Sequence, residues 1–246
     1  MSHRLSADAL LIIPCCARKQ PGGAQQSSGI DPLAELVSPD RYAALINARR
    51  EVIGTIRADP RFTSEKYSKN KALKDGVEFG GRDASGAYLP ALQRYEGTLY
   101  GVPNLKGAIE RAVGARGAPR IIILSALYGP LHPLSPIQDY NLMMQDAPAR
   151  TWRKAFPAFL ADYVRRNAVS RIALYLGSST TYLKVATSAV IEVRNAGLIS
   201  EAVQYHIVDG STRKTPLKHG ERMLCDLGGQ CDSSLGDPTQ IRVNAV

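Results

Sequence analysis

The stretch RIIILSALYGPLHPL, which spans residues 120–134, joins a buried strand to a polar turn. Its first part, Arg120–Leu124, is a short and continuous β-branched run, a pattern typical of a parallel sheet that is covered on both faces. Three similar runs occur at Leu10–Ile13, Arg171–Leu176 and Val203–Val208. Helical patterns alternate with these runs, and this alternation predicts an α/β fold with a central, mostly parallel sheet covered by helices.

Helix signals occupy the segments between the predicted strands. Ser38-Pro39-Asp40 marks a helix start, because serine is a good N-cap and proline is tolerated at the first helical position. Four further helices are predicted at Asn104–Val113, Arg150–Arg166, Thr180–Ala196 and Pro216–Leu224. We interpret residues 1–246 as a single α/β domain, with a basic helical insertion at 38–75 and a poorly ordered C-terminal extension at 228–246.

The composition is that of an ordinary globular protein, with 44% hydrophobic and 22% charged residues in a chain of 246. The longest apolar run, Ala9–Pro14, is too short to cross a bilayer, and no small-residue cleavage site of a signal peptide follows it. We therefore expect a cytoplasmic protein without a membrane partner. The four cysteines and four histidines lack the spacing of metal ligands, so neither a metal nor a cofactor is expected.

Positive charge is concentrated in one segment, residues 41–74, which we call the basic segment. It holds nine Lys or Arg against three acidic residues, a net +6 out of +9 for the whole chain. This excess predicts a nucleic-acid partner. The interleaved Tyr42, Phe62 and Tyr67 would add base stacking, although a solvated basic face is the alternative. The candidate phosphate contacts are Arg49, Arg50, Lys66, Lys69, Lys71 and Lys74.

Three polar motifs each follow a predicted strand, at Pro14–Lys19, Ser125–Gly129 and Gly177–Thr181. Ligands of open α/β sheets bind beyond the carboxyl ends of the strands, so these motifs predict one shared pocket. Ser178 and Ser179 open a helix there. They are candidates either for binding a phosphate at the helix start or for ordinary N-capping.

Ser125, Tyr128 and Asp139 are the candidate catalytic residues of such a pocket. Together they could stabilise charge and anchor a leaving base on a nucleoside, nucleotide or nucleobase. The alternatives are that Tyr128 packs in the core beside a Gly129 of unusual φ, and that Asp139 is a solvated loop residue.

Further ligand-binding candidates surround these residues. Cys15 is close to Lys19, and a nearby cation can make a thiol nucleophilic or oxidisable, yet cysteine is also a common small buried residue. Lys19 or Lys218 could hold a phosphate. Gly129 and Tyr140 complete the predicted set for a small nucleotide-like molecule.

Several segments together resemble the YaaA family. The most specific is LSALYGPLHPL at 124–134 with the QDY of 138–140, which is similar to the family's LSGLYGxLRPL…PY run. The segments at 91–100, 152–163, 174–184 and 218–223 follow in the family's order, so the resemblance spans about residues 9–225. His132 stands where the family has arginine, and Cys-Cys-Ala-Arg-Lys at 15–19 replaces its Ser-Pro-Ala-Lys.

The resemblance implies the family's α/β architecture, a DNA-binding helical region and a role in limiting oxidative damage. It leads us to expect a cytosolic protein that binds DNA or other nucleic acid in the response to peroxide stress. The alternative is an enzyme, similar to an N-glycosidase, that acts on a nucleoside, nucleotide or nucleobase at the strand ends.

Overall fold

The computed structural model describes residues 5–25, 31–207, 214–229 and 241–246. Its strands are β1 (Ala9–Pro14), β2 (Leu89–Pro90), β3 (Arg120–Ser125), β4 (Gly129–Leu131), β5 (Pro136–Ile137), β6 (Arg171–Leu174), β7 (Glu201–Ile207) and β8 (Ile241–Ala245). Its α-helices are α1 (Leu33–Leu36), α2 (Pro39–Ala58), α3 (Ala91–Arg94), α4 (Leu105–Gly114), α5 (Trp152–Arg166), α6 (Thr181–Asn195) and α7 (Thr215–Asp226). Short 3₁₀ helices lie at Pro60–Thr63, Glu65–Ala72, Val77–Phe79 and Pro148–Thr151.

Six strands form the central sheet in the order β4-β3-β1-β6-β7-β8. The inner pairs β3-β1, β1-β6 and β6-β7 are parallel, and the two outer strands run antiparallel to their neighbours. Side chains alternate between the two faces of a strand, yet every residue of Leu10–Ile13 in β1 is fully buried. The sheet is therefore covered on both faces, and the predicted α/β fold with a mostly parallel sheet is confirmed.

The helices that cover the sheet form two packed groups. Helices α2, α5 and α6 are linked by the packing of α2 on α5 and of α5 on α6, and α4 packs against α7. The N-cap of α2 is Ser38, whose side-chain oxygen accepts a hydrogen bond from the backbone N–H of Arg41 at 3.3 Å. Among the described residues, no helix combines the length and apolarity that a membrane span requires.

The C-terminal end differs from the sequence prediction. The composition of residues 228–246 predicts a poorly ordered extension, but Ile241–Ala245 pair with β7 as an edge strand. This pairing satisfies backbone groups of β7 that an open sheet edge would expose. Val208, which ends the fourth predicted strand, and residues 230–240 lie outside the described residues.

Candidate functional site

The strand ends bring together a group of side chains that we call the thiol–tyrosine cluster. Strands β1 and β3 are parallel neighbours, with Pro14 opposite Leu124, so the residues that follow them meet at one edge of the sheet. The backbone N–H of Cys15 continues the pairing by donating to the carbonyl oxygen of Leu124 at 2.9 Å. The cluster consists of Cys15, Lys19, Tyr95, Ser125, Tyr140 and Tyr182.

The hydroxyl of Tyr140 is at the centre of the cluster. It lies 2.8 Å from Ser125 Oγ and 3.0 Å from Tyr95 Oη, and it donates to Cys15 Sγ at 3.4 Å. The thiol is also 2.9 Å from the hydroxyl of Tyr182, at the start of α6. The predicted convergence of the loops after β1, β3 and β6 therefore exists, although side chains fill it.

Lys19 extends over this cluster from the loop after β1. Lys19 is 5% exposed, and its Nζ lies 3.9 Å from the centroid of the Tyr140 ring, a cation–π distance. The ammonium donates a long hydrogen bond of 3.4 Å to the carbonyl oxygen of Ala17. Because burial disfavours the charged form, the pKa of Lys19 is lowered from its ordinary value.

Cys16 points away from the cluster despite its position next to Cys15. Its thiol donates to the carbonyl oxygen of Arg18 at 2.8 Å and accepts from the backbone N–H of Gly97 at 3.1 Å. Burial raises the pKa of Cys16 to about 11, so this thiol stays protonated at neutral pH. The two adjacent cysteines are therefore chemically distinct.

Asp139 joins the basic segment to the edge of the cluster. Its Oδ2 forms an ion pair with Lys69 Nζ at 2.8 Å. Its Oδ1 is buried and has no hydrogen-bond partner among the described residues. Asp139 also acts electrostatically on Lys19, so this carboxylate stands between a partly exposed lysine and a buried one.

The basic segment is fastened to residues 138–141 by hydrogen bonds on both sides of that ion pair. Asn70 donates to the carbonyl oxygen of Asn141 at 2.7 Å and accepts from its backbone N–H at 2.9 Å. Gln138 accepts from the backbone N–H of Lys74 and donates to its carbonyl oxygen, both at 2.9 Å. The 3₁₀ helix Glu65–Ala72 is thus anchored at the edge of the strand-end site.

Tyr128 and Gly129 occupy structural positions, and their predicted site functions stay predictions without a supporting contact. Tyr128 is fully buried, with its ring stacked on Phe79 at 5.2 Å and its hydroxyl accepting from the backbone N–H of Gln138 at 3.0 Å. Gly129 has a φ of 66°, and a Cβ there would lie 2.3 Å from the ring of Trp152. The alternative of a core tyrosine beside a glycine of unusual φ is confirmed.

Ser178 and Ser179 stand apart from the hydrogen bonds of the cluster. The two serine side chains are exposed and make no hydrogen bond within the described part of the chain. The N-cap of α6 is instead Thr180, whose Oγ1 accepts from the backbone N–H of Leu183 at 3.2 Å. The alternative of ordinary N-capping is thus correct for this helix start, but the capping residue is Thr180 and not Ser178 or Ser179. Lys218 lies on α7, which packs against α4 and β7.

Arg49 cannot contact phosphate, contrary to the sequence prediction. It is 1% exposed, and its guanidinium pairs with Asp31 at 3.1 Å. It also donates to the carbonyl oxygens of Tyr128 and Pro130, at 2.9 and 3.1 Å. Arg50 is exposed, but its guanidinium is already engaged by the carbonyl oxygens of Phe79 and Gly80.

Four of the predicted phosphate-binding residues are exposed: Arg50, whose guanidinium is already engaged, and Lys66, Lys71 and Lys74. Two of the three aromatic residues predicted to stack on bases are not available for it, because Phe62 and Tyr67 are buried and pack edge to face at 5.3 Å, whereas Tyr42 is half-buried. Within the described ranges, no group of three or more His, Cys, Asp or Glu could hold a metal ion.

Two residues of the cluster, Tyr95 and Tyr182, are not among the predicted site residues. Tyr95 follows α3 and Tyr182 is the second residue of α6. A signal for Tyr182 is present in the sequence, because it lies directly after the polar motif that follows β6. Tyr95 gives no such signal, since the short α3 is brought to the cluster only by tertiary packing.

The family model described as peroxide stress protein YaaA matches residues 43–201 of the chain. The matched range contains most of the basic segment, together with Tyr95, Ser125, Tyr140 and Tyr182. A comparison with curated proteins gives no match.

Proposed function

The chain belongs to the peroxide stress protein YaaA family, and we propose that it acts in that stress response by binding DNA or other nucleic acid. The family supplies the connection to peroxide stress. The nucleic-acid partner is supported by the charge of the basic segment and by its attachment to the rest of the molecule.

The observation that carries the proposal is a set of exposed lysines on an anchored segment. Lys66, Lys71 and Lys74 are exposed and have no carboxylate partner within the part of the chain that the structure describes. A lysine that is not neutralised internally can displace counterions from a phosphate backbone. Because Asn70 and Gln138 hold the segment in place, fewer conformations are lost when it binds.

The expected binding mode is electrostatic and independent of sequence. Phe62 and Tyr67 are buried, so nucleic-acid bases cannot stack on their rings. Phosphate contacts alone position a protein on nucleic acid without reading its bases. We therefore expect duplexes of different sequence to bind with similar affinity.

The enzyme alternative loses two of its three candidate catalytic residues. Ser125 and Tyr128 are fully buried, and their hydroxyls are engaged by Tyr140 and by the backbone of Gln138. Asp139 keeps a buried oxygen without a partner among the described residues, but one carboxylate is not a hydrolytic site. Binding of a nucleotide-like small molecule stays a prediction without a supporting interaction.

The proposal is tested by removing three charges from the basic segment. Affinity for a fluorescent duplex is measured by anisotropy for a variant that combines Lys66→Gln, Lys71→Gln and Lys74→Gln. We expect affinity to fall by about tenfold or more at moderate salt, because each neutralised lysine no longer releases counterions from the phosphates.

The matched control combines Lys154→Gln, Arg165→Gln and Arg166→Gln, which removes the same charge from exposed positions of α5. It should bind nearly as the natural protein does. Equal weakening by both triple variants would mean that only net charge matters, and unchanged binding by the first would show that the basic segment is not the binding surface.

A further inference from the structure

We propose that Cys15 is a peroxide-reacting nucleophile, and that the thiol–tyrosine cluster with Lys19 forms the site in which a hydroperoxide oxidises it to a sulfenic acid. This activity does not depend on nucleic-acid binding. It gives a chemical role to side chains at the strand ends that take no part in the proposed nucleic-acid binding.

Cys15 is surrounded by polar hydroxyl groups. Its sulfur contacts the hydroxyls of Tyr140 and Tyr182, at 3.4 and 2.9 Å, and these come from different chain segments. Ser125 and Tyr95 hold the Tyr140 hydroxyl from two further directions. A buried thiol that served only to fill space would be expected among apolar side chains.

Lys19 is buried with few hydrogen-bond partners for its side-chain nitrogen. The residue is 5% exposed, and among the described residues its side chain makes one hydrogen bond, of 3.4 Å, to Ala17. An ammonium carries three donors, and leaving donors unpaired in a buried place is costly. Its Nζ lies over the Tyr140 ring, whose hydroxyl contacts Cys15, so the unused donors belong to the same site. They fit a small molecule that is rich in oxygen.

The reaction balances with the hydroperoxide as the only co-reactant. Once the ammonium of Lys19 has lost a proton to solvent, its amine takes the proton of the Cys15 thiol, and the sulfur attacks one oxygen of the hydroperoxide. An S–O bond forms while the O–O bond breaks, and its electron pair stays on the departing oxygen. That oxygen takes the proton back from Lys19. The thiol is oxidised to a sulfenic acid, and the hydroperoxide is reduced to an alcohol or to water.

The lowered pKa of Lys19 supports this exchange, because burial makes the lysine lose its proton more readily than an exposed lysine does, and the neutral amine is the form that can accept a proton. Burial keeps Cys16 protonated, and its thiol is held by Arg18 and Gly97. Cys16 is therefore a poor partner for forming a disulfide with Cys15, and the sulfenic acid should persist long enough to be trapped.

The limited access to Cys15 sets the size of the substrate. The residue is 7% exposed, which suits hydrogen peroxide better than a bulky reagent. The experiment treats the full-length protein with hydrogen peroxide in the presence of dimedone, which captures sulfenic acids, and locates the adduct by peptide mapping. We expect it on Cys15 in the natural protein and in Cys16→Ser. A maleimide should label Cys15 of the folded protein slowly.

The role of Lys19 is tested by Lys19→Gln, with Lys106→Gln as the control. Lys106 is a partly buried lysine outside the cluster whose pKa is also lowered by burial. We expect Lys19→Gln to slow Cys15 oxidation by about 100-fold, the lower range for proton transfer by a positioned side chain. The pH range over which the oxidation rate increases should also move to higher pH. Lys106→Gln should change neither the rate nor this pH range.

Several outcomes would overturn the proposal. They are a dimedone adduct on Cys16 but not on Cys15, maleimide labelling of Cys15 as fast as in the unfolded chain, and an unchanged oxidation rate in folded Lys19→Gln. Near-ultraviolet circular dichroism establishes that each variant is folded before its rate is compared.

Discussion

Arg49 lies on α2 one helical turn from both Leu45 and Ile53, and its guanidinium is enclosed with them. The spacing of four residues in each direction is visible in the sequence, and residues so spaced share a helix face. A count of charges in the basic segment ignores which face of the helix each charged residue occupies. The number of cations on a helix is thus a weaker guide to a binding surface than their position relative to its apolar stripe.

Replacing Arg49 should therefore destabilise the protein rather than weaken nucleic-acid binding directly. In Arg49→Gln, the buried Asp31 loses its cation, and such an uncompensated charge costs about 3–5 kcal/mol. The exposed Arg50→Gln should cost about 1 kcal/mol or less. Urea unfolding of both variants measures the difference. Equal stability of the two would contradict the assignment of Arg49 to the core.

Substitutions of Gly129 and Gly117 allow the cost of backbone strain to be distinguished from the cost of a steric clash. Both have a positive φ, but a Cβ at 129 would lie 2.3 Å from the Trp152 ring, whereas a Cβ at 117 has no neighbour within 4 Å. Gly117→Ala should cost about 1–2 kcal/mol from its left-handed conformation alone. Gly129→Ala should cost about 1–3 kcal/mol more, because Trp152 must shift. Thermal unfolding that gave equal decreases in stability would refute a close approach of Gly129 to Trp152.

Among the elements, the 3₁₀ helix Glu65–Ala72 depends on Asn70 for its attachment. Asn70 is 5% exposed and bonds to Asn141 and to the carbonyl oxygen of Phe62. Asn70→Ala leaves these buried groups unpaired, at about 1–3 kcal/mol. Hydrogen exchange should therefore speed up in residues 65–72 while the central sheet stays protected. The control Asn47→Ala changes an exposed asparagine of α2 and should leave exchange there unaltered.

Helix α7 is held to β7 by a buried histidine, which makes their packing sensitive to pH. His219 Nε2 lies 2.8 Å from the carbonyl oxygen of Tyr205, and burial lowers the pKa of His219 below its usual 6.5. The unfolded chain takes up a proton below that value and the folded chain resists it, so stability is lost as pH falls below about 6.5. His219→Gln should lose less stability between pH 8 and 5.5 in denaturant unfolding. An equal decrease in both proteins would exclude His219 as a contributor.

The sequence predicts the elements whose formation depends on local pattern. The strands β1, β3 and β6 come from short apolar runs, β7 comes from a more polar run that includes Val203, Tyr205 and Ile207, and the caps Ser38 and Thr180 begin helices close to the expected positions. The short β4 and β8 are not predicted. Each is an antiparallel edge strand that depends on its neighbour in the sheet, so no local pattern marks it.

At the scale of the whole molecule, the carboxyl edge of the sheet unites features that are distant in sequence. The strand-end rule predicts the convergence of Cys15, Ser125 and Tyr140, because parallel strands deliver the residues that follow them to one edge. It cannot predict which side chains fill the site and which line it. That depends on packing, which buries Tyr128 and leaves Lys19 with a single side-chain hydrogen bond among the residues that the structure describes.

The same edge carries the basic segment, so the two proposed activities share one region of the molecule. The ion pair of Asp139 with Lys69 connects the basic segment to the chain segment that carries Tyr140 of the cluster. Nucleic-acid binding depends on Lys66, Lys71 and Lys74, whereas thiol oxidation depends on Cys15 and Lys19. Variants of one set therefore test their own proposal without altering the residues of the other.

The salt dependence of duplex binding tests the role of the basic segment most directly. We predict that the slope of log affinity against log salt becomes shallower by about 0.9 for each lysine that no longer neutralises a phosphate. For the variant that lacks the charges of Lys66, Lys71 and Lys74, the change amounts to about 2.7. The α5 control should keep the natural slope. A triple variant whose slope equals that of the natural protein would contradict the account, because its lysines would then release no counterions on binding.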